Sequence, residues 1–408
     1  GAIEKGISIH IEAGRRGLLE RDLNISSALV DMYGKCGLFD QAQEVFHKLP
    51  VRDLIAWNSL ICAHTEHGHG EEALELFERM KLEGVKPDSQ TFICSLKACG
   101  SIRATDKGRK IHQEIEREGL LEEDIVLGTA LVDMYTKCGL LAKAKNVFEM
   151  LPARSVSLWN ALIVGYIDHG YGEEAVECFK QMQWEGVTPD VVTYVCSLRA
   201  CGSIGAIDKG QEIHEEIDRK GFLGRDLRIG TALVDMYLKC GSLNSARQVF
   251  DKILVRDIVS WNTMLSGCAQ SGQGKELLSV VNKMEEDGIQ LNQITFLSIL
   301  SAFGRSGLQN EALCFVEHMA RQHMVTPLVE HYACIVDFLA RAGDVNEAVY
   351  CLEKMPFLPS ATGWGALLGA CKLHGFVDLA EYIVEHIIQL EPENSAAYVV
   401  LSNVYATA

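Results

Sequence analysis

Ser27-Ala28-Leu29-Val30-Asp31-Met32-Tyr33 returns as Thr129-Ala130-Leu131-Val132-Asp133-Met134-Tyr135 and again as Thr231-Ala232-Leu233-Val234-Asp235-Met236-Tyr237. The step is 102 residues each time. Trp57-Asn58, Trp159-Asn160 and Trp261-Asn262 keep the same step, as do Cys36-Gly37, Cys138-Gly139 and Cys240-Gly241. A fixed internal period marks a repeat architecture and is read before any domain count.

Each period divides into three units. Leu23 to Asp53 is 31 residues, Leu54 to Asp88 is 35 and Ser89 to Asp124 is 36. Within a unit the apolar residues fall at helical spacing. Ala28, Leu29, Met32, Tyr33 and Cys36 share one face, and Gly37 supplies a left-handed stop. Ala42, Val45, Phe46 and Leu49 make a second apolar face. Pro50 and Pro152 close the short units, and Pro87 and Pro189 close the next ones. Leu254 and Leu291 stand there in the third period, so proline is not required. No run of alternating β-branched residues suggests a strand. A helical hairpin of this length cannot bury both faces alone, but stacked on its neighbours it can. The expected fold is therefore all-α: a solenoid of stacked helical hairpins, wound as a right-handed superhelix.

Composition agrees with a folded chain. Of 408 residues, 48% are hydrophobic and 23% charged, with only 8 prolines. No run of about 18 uncharged apolar residues is present, so no membrane span is expected. The net charge of −17, taken alone, disfavours a nucleic-acid partner. The 14 cysteines include no CxxC pair and are expected to be reduced core residues. Several H-x-E triplets, such as those beginning at His64, His112 and His214, match one part of a zinc deaminase signature. The P-C-x-x-C half is missing, so neither a metal nor any other cofactor is expected. No phosphate-binding loop or nucleophile elbow stands out, and the chain is not expected to be an enzyme. It begins at Gly1 and ends at Ala408 within a helical pattern, and is read as a piece of a longer protein with any targeting segment upstream.

Two families have helical hairpins near this length. The Trp/Leu-Gly/Tyr pattern of tetratricopeptide repeats is absent. Val85-Lys86-Pro87-Asp88, Glu71-Glu72-Ala73-Leu74-Glu75-Leu76-Phe77 and Trp57-Asn58 with Leu60-Ile61 resemble the pentatricopeptide repeat (PPR) family. The alternation of 31, 35 and 36 residues is similar to its PLS class, found in plant organellar RNA-editing factors. Leu-Val-Asp-Met-Tyr-x-Lys-Cys-Gly resembles its S-type repeat. Leu96-Lys97-Ala98-Cys99-Gly100, followed by Gly108 and Ile111-His112, resembles its L-type repeat. Trp364 to Cys371 with Leu390-Glu391-Pro392 resembles the E-type extension, and Leu401 to Tyr405 a second extension cut short. The resemblance implies the back half of an L-type repeat at 1–22 and S-P-L triplets at 23–124, 125–226 and 227–328. A last S-type repeat at 329–360 and a truncated extension at 361–408 follow.

The resemblance also implies a mode of action: sequence-specific binding of single-stranded RNA, one base per repeat. In the family, the fifth and last residues of a repeat select the base. Carried over, Ser27 with Asp53 implies G, Asn58 with Asp88 implies U, and Thr129 with Ser155 a purine. Asn160 with Asp190 implies U, Thr231 with Asp257 implies G, and Asn262 with Asn292 a pyrimidine, C before U. The hydrogen-bonding logic is sound, since an Asp accepts from an imino N–H while an Asn also donates. Ile93, Val195 and Leu297 hold the fifth place of the L-type units and cannot hydrogen-bond a base. Ala333 and Ser360 leave the last S-type unit open. The implied site is 5′-G-U-n-R-U-n-G-Y-3′.

Ile55, Val126 and Val259 fit the family's wedge between bases. Asn24, Ser157 and Arg228 do not, although Arg228 offers a cation for stacking. Lys35, Lys137 and Lys239 recur in step; phosphate contact is one role and compensation of a helix C-terminus another. Trp57, Trp159 and Trp261 are assigned to packing between helices. The implied biology is site recognition for C-to-U editing in a mitochondrion or chloroplast. The deaminase would come from a missing C-terminal domain or in trans, and accessory organellar editing factors would dock on L-type repeats. The rival is a protein–protein scaffold without RNA binding, which the acidic charge favours.

Overall fold

The computed structural model describes residues 2–17, 23–49, 51–121, 124–272, 274–289, 292–308, 312, 314–315, 328–353, 361–374 and 376–407. Pro50, Leu291 and Ser360 lie outside the described residues. Among the described residues there are helices and turns and no strand. The chain forms two compact units, Gly1–Ile204 and Gly205–Ala408.

The first unit holds α1 (Ala2–Arg15), α2 (Leu23–Lys35), α3 (Phe39–Lys48), α4 (Leu54–Glu66), α5 (Gly70–Leu82) and α6 (Ser89–Ser101). It continues with α7 (Thr105–Glu118), α8 (Ile125–Lys137), α9 (Leu141–Met150), α10 (Val156–Asp168), α11 (Gly172–Trp184) and α12 (Val191–Ile204). The even-numbered helices pack in series, α2 on α4, α4 on α6, α6 on α8, α8 on α10 and α10 on α12. The odd-numbered helices α3 to α11 flank them as an outer layer, each against the helices before and after it in the chain.

The second unit repeats the plan. Its helices are α13 (Ile207–Lys220), α14 (Leu227–Lys239), α15 (Leu243–Lys252), α16 (Ile258–Gln270), α17 (Gly274–Glu286) and α18 (Gln293–Ser306). Then come α19 (Val329–Ala342), α20 (Val345–Glu353), α21 (Ala361–His374), α22 (Val377–Leu390) and α23 (Ser395–Thr407). Here α14, α16, α18, α19, α21 and α23 pack in series.

The local causes are those written in the sequence. Gly37, Gly139 and Gly241 turn the chain between the helices of a hairpin at φ of 72°, 75° and 78°. Only glycine enters that region without steric cost. Trp57, Trp159 and Trp261 are 0% exposed and fill the joint between hairpins, as expected. Each indole meets a phenylalanine edge-on, at 4.6 Å from Phe46, 4.5 Å from Phe148 and 4.8 Å from Phe250. The same joint carries a recurring arginine. Arg52, Arg154 and Arg256 lie over Phe46, Phe148 and Phe250 at 5.4, 5.0 and 5.0 Å. They also pair with Glu83, Glu185 and Asp287 at 2.9, 2.6 and 3.2 Å. Partial burial and a ring beneath each guanidinium make these pairs worth more than an exposed ion pair.

One cysteine expectation is corrected. Cys62 of α4 and Cys94 of α6 are joined by a disulfide, with Cα atoms 5.3 Å apart. Serial packing of α4 on α6 brings two backbones to bridging distance, which spacing in the sequence does not reveal. Cys99, Cys196 and Cys201 are buried and outside any disulfide, as expected.

Candidate nucleic-acid interface

At the candidate positions among the described residues, the residue that ends a unit is the N-cap of the next unit's first helix. Asp53, Asp88, Ser155, Asp257 and Asn292 each accept a backbone N–H with the side chain, from Ala56, Thr91, Leu158, Ser260 and Thr295. Asp190 accepts from Thr193 N–H at 2.8 Å. A cap uses one side-chain oxygen and holds the residue at the helix mouth. The fifth residue of the preceding unit sits on the neighbouring first helix, one packing distance away.

In two places that geometry joins the pair. Asn58 Nδ2 donates to Asp88 Oδ1 at 3.0 Å, and Asn160 Nδ2 donates to Asp190 Oδ1 at 3.1 Å. Ser27 Oγ donates to Asp53 Oδ1 at a longer 3.4 Å. Thr129 instead donates to its own helix at the Ile125 carbonyl, 2.8 Å, and is not bonded to Ser155. Thr231 and Asp257 are not joined either, Asp257 serving as the cap of α16. Asn262 and Asn292 are not bonded to each other, and Asn262 Oδ1 is buried without a partner.

Burial pushes the Asp88 and Asp190 carboxyls up, but hydrogen bonds from Thr91 and Asn58, and from Thr193 and Asn160, outweigh it. Both groups stay below the usual carboxylate range. Each is therefore an ionised acceptor at neutral pH, with these hydrogen bonds made to Oδ1 and not to Oδ2.

Ile55, Val126 and Val259 are 59%, 63% and 57% exposed on the first turn of their helices. Asn24, Ser157 and Arg228 are also exposed. The guanidinium of Arg228 is held by Asp226, Nε to Oδ1 at 3.1 Å and Nη2 to Oδ2 at 2.8 Å. Ile93 is buried, and Val195, Leu297 and Ala333 are half-buried. Lys35, Lys137 and Lys239 each form an ion pair one helical turn back, with Asp31, Asp133 and Asp235 at 2.7, 2.8 and 2.7 Å. The aspartates stand in the quoted repeat itself, but their pairing with the lysines was not anticipated.

The three kinds of candidate residue share one cavity in the second unit. Between α14 and α16 a hollow of about 300 Å³ is lined by Asp235, Lys239, Val259, Asn262, Ser266 and Gln270. Lys239, the exposed Val259 and the amide of Asn262, one candidate of each kind, thus face the same space. Two further residues were missed in the sequence. Thr91 and Thr193 reach the paired asparagines, with Oγ1 donating to Asn58 Oδ1 at 2.5 Å and to Asn160 Oδ1 at 2.7 Å. Their 102-residue recurrence was the available signal.

The H-x-E histidines are occupied by packing. His64 stacks on Phe39 at 4.5 Å. His112 and His214 place Nδ1 at 2.8 and 2.9 Å from the hydroxyls of Tyr135 and Tyr237. Among the described residues, no three or more His, Cys, Asp or Glu are grouped to hold a metal, and no helix is long and apolar enough to cross a membrane.

Serially packed helical hairpins with paired polar residues at fixed places define a helical-repeat protein. The family described as "PPR repeat family" matches residues 52–101, 154–203 and 256–305, and "PPR repeat" matches 25–54, 129–156 and 231–258. The chain belongs to the pentatricopeptide repeat family. It is 38% identical over all of its length to a mitochondrial pentatricopeptide repeat-containing protein of Arabidopsis thaliana, of which it spans 73%. It is 40% identical to chloroplastic DOT4 and 38% identical to chloroplastic CRR2 of the same plant. Those matches cover 100% and 95% of the chain, which spans 46% and 60% of these two relatives. Among solved structures, the PPR protein PPR10 in complex with an 18-nt psaJ RNA element matches with a TM-score of 0.73 at 19% identity. That match covers 95% of this chain and 58% of PPR10. Yeast Rmd9p in complex with a 16-nt target RNA matches with a TM-score of 0.50 at 10% identity, over 94% of this chain and 93% of the other.

Proposed function

We propose that this chain binds single-stranded RNA by sequence, one base per repeat, and serves as the site-recognition part of an organellar RNA-editing factor of the PLS class. The observation that carries the reading is the repeated Asn–Asp pair. Asn58 with Asp88 and Asn160 with Asp190 are held in nearly the same geometry. Each pair keeps one amide N–H and one carboxylate oxygen outside the bonds that hold it together. That donor and acceptor match O4 and N3–H of uracil. The exposed wedge positions Ile55, Val126 and Val259, one turn before Asn58, Thr129 and Asn262, suit insertion between successive bases. The PPR fold, shared with proteins solved in complex with RNA, supports the same reading.

The proposed target is 5′-G-U-n-R-U-n-G-Y-3′, with the L-type units silent because Ile93, Val195 and Leu297 offer no polar group. Those apolar positions suit an accessory protein, and a cytidine deaminase domain would act from elsewhere in the full protein or in trans. No catalytic step is assigned to this chain. The names of the relatives suggest a mitochondrion or a chloroplast.

An equilibrium titration with two labelled RNAs tests the reading. One carries the target and the other has every specified base exchanged. A preference for the first, reduced by Asn160→Ser, is the expected result. Equal binding to both removes the base-reading, and binding to neither favours the protein scaffold, to which the −17 charge and the Asp-paired lysines also point.

A further inference from the structure

The asparagine amides are held from behind. Asp88 Oδ1 already accepts from Thr91 N–H at 2.9 Å and from Asn58 Nδ2 at 3.0 Å. Asp190 Oδ1 likewise accepts from Thr193 N–H at 2.8 Å and from Asn160 Nδ2 at 3.1 Å. Each threonine Oγ1 has two acceptors in reach, the amide oxygen at 2.5 Å for Thr91 and 2.7 Å for Thr193, and the same carboxylate oxygen at 2.8 Å in both. With the lone pairs of that Oδ1 already engaged, the hydroxyl proton is best used on the nearer amide oxygen. The amide is then fixed at both ends. Its oxygen is engaged by the threonine, and its nitrogen holds the carboxylate and keeps one N–H outward.

The third period has the same threonine and a different outcome. Asn262 does not donate to Asn292, and Thr295 Oγ1 keeps the cap contact, to Asn292 Oδ1 at 3.0 Å beside its own N–H at 2.9 Å, without the second contact to the preceding amide oxygen that Thr91 and Thr193 make. Asn262 Oδ1 is left buried with no partner. One hydroxyl thus closes the amide oxygen in two repeats and leaves it open in the third.

We propose that Thr91 and Thr193 are positioning residues for base choice, excluding cytosine by closing the amide oxygens of Asn58 and Asn160. This rests on the base-reading proposed above. Cytosine presents an amino donor where uracil presents O4, and a bare acceptor at N3 where uracil presents N–H. Against a fixed outward N–H and a carboxylate it sets donor on donor and acceptor on acceptor. An amide freed from the threonine turns its oxygen outward and accepts the cytosine amino group. At Asn262 no threonine holds that oxygen, so the amide is not fixed in the orientation that excludes cytosine at the last base of the site.

The test is a competition titration of the 408-residue chain with target RNAs carrying U or C at the fifth base. Thr193→Val keeps the shape and removes the hydroxyl. It is expected to narrow the U-over-C ratio by about fivefold to tenfold, the size of one net hydrogen bond, and Thr193→Ser is expected to restore it. The ratio is taken within one protein, so any loss of folded fraction cancels, and Thr91→Val read at the second base provides an independent copy. A Val variant that weakens U and C alike, with the ratio unchanged, limits the threonine to capping and overturns the proposal alone. A wild-type chain with no preference between U and C at that base overturns the base-reading, and this inference with it.

Discussion

Asp190 does two things at once. It caps α12 through Thr193, and it receives the side-chain amide of Asn160 from the neighbouring helix. Asp190→Asn keeps an acceptor for the cap but supplies an amide where the carboxylate stood. Thermal stability is expected to stay within about 1 kcal/mol of wild type, while preference at the fifth base moves from U to C in a binding titration. Asp190→Ala removes both roles and is expected to lower stability by about 1 kcal/mol as well. Arg103 is a residue-scale anomaly of another kind. It sits at φ 55°, where the other two periods place Gly205 at 67° and Gly307 at 69°. A left-handed arginine costs on the order of 1–2 kcal/mol. Arg103→Gly is therefore expected to raise the unfolding free energy by about 1 kcal/mol, measured by urea denaturation.

The element-scale question is how close the first helices come. A Cβ on Gly165 of α10 stands 2.5 Å from Thr136 Cβ and 2.4 Å from its Cγ2 on α8. Thr136 is buried and β-branched, so it has little freedom to move aside. Gly165→Ala is expected to cost about 1–3 kcal/mol through overpacking, read as a lower denaturation midpoint. The outer layer is looser and is tied by side chains. Lys81 of α5 reaches Glu114 of α7 at 2.7 Å, Arg247 of α15 pairs with Glu276 of α17, and Lys283 of α17 reaches Asp251 of α15 at 3.6 Å. Tight first helices and ion-paired second helices place the proposed selecting residues on the more closely packed layer.

For the molecule as a whole, charge and pH set the expectations. The three step-repeated lysines are already neutralised by aspartates, so binding RNA releases few counterions from them. The slope of log affinity against log salt is expected to be shallow, well below that of a protein making 6–10 phosphate contacts. A steep slope would instead assign those lysines to phosphate. His64, His112 and His214 all have lowered pKa values, each chiefly from burial, with the charge of His69 adding at His64. A histidine kept neutral by folding contributes stability above its unfolded pKa of about 6.5, and that contribution is lost as pH falls below this value toward the folded pKa. Denaturation midpoints are expected to drop between pH 7.5 and 5.5. The lowered Asp88, Asp190 and Glu83 carboxyls add a second loss only in more acidic solution, below about pH 4.

Helices, their stops and their stacking follow from periodic residues: apolar faces such as Ala28, Leu29 and Met32, left-handed Gly37, and Trp57 buried at the joint. These are local or nearest-neighbour properties, and a 102-residue period states each of them three times. The proposed selecting positions were legible only through the family resemblance, helped by the step that Asn58 and Asn160 keep. Their bonding was not. Whether Asn58 meets Asp88 while Asn262 stays apart from Asn292, which atom Thr91 engages, and that Lys35 is held by Asp31 all depend on angstrom-scale approach of neighbouring helices. The Cys62–Cys94 bridge depends on it too. Periodicity places a residue on a face, and only packing decides which atoms on that face come within bonding distance.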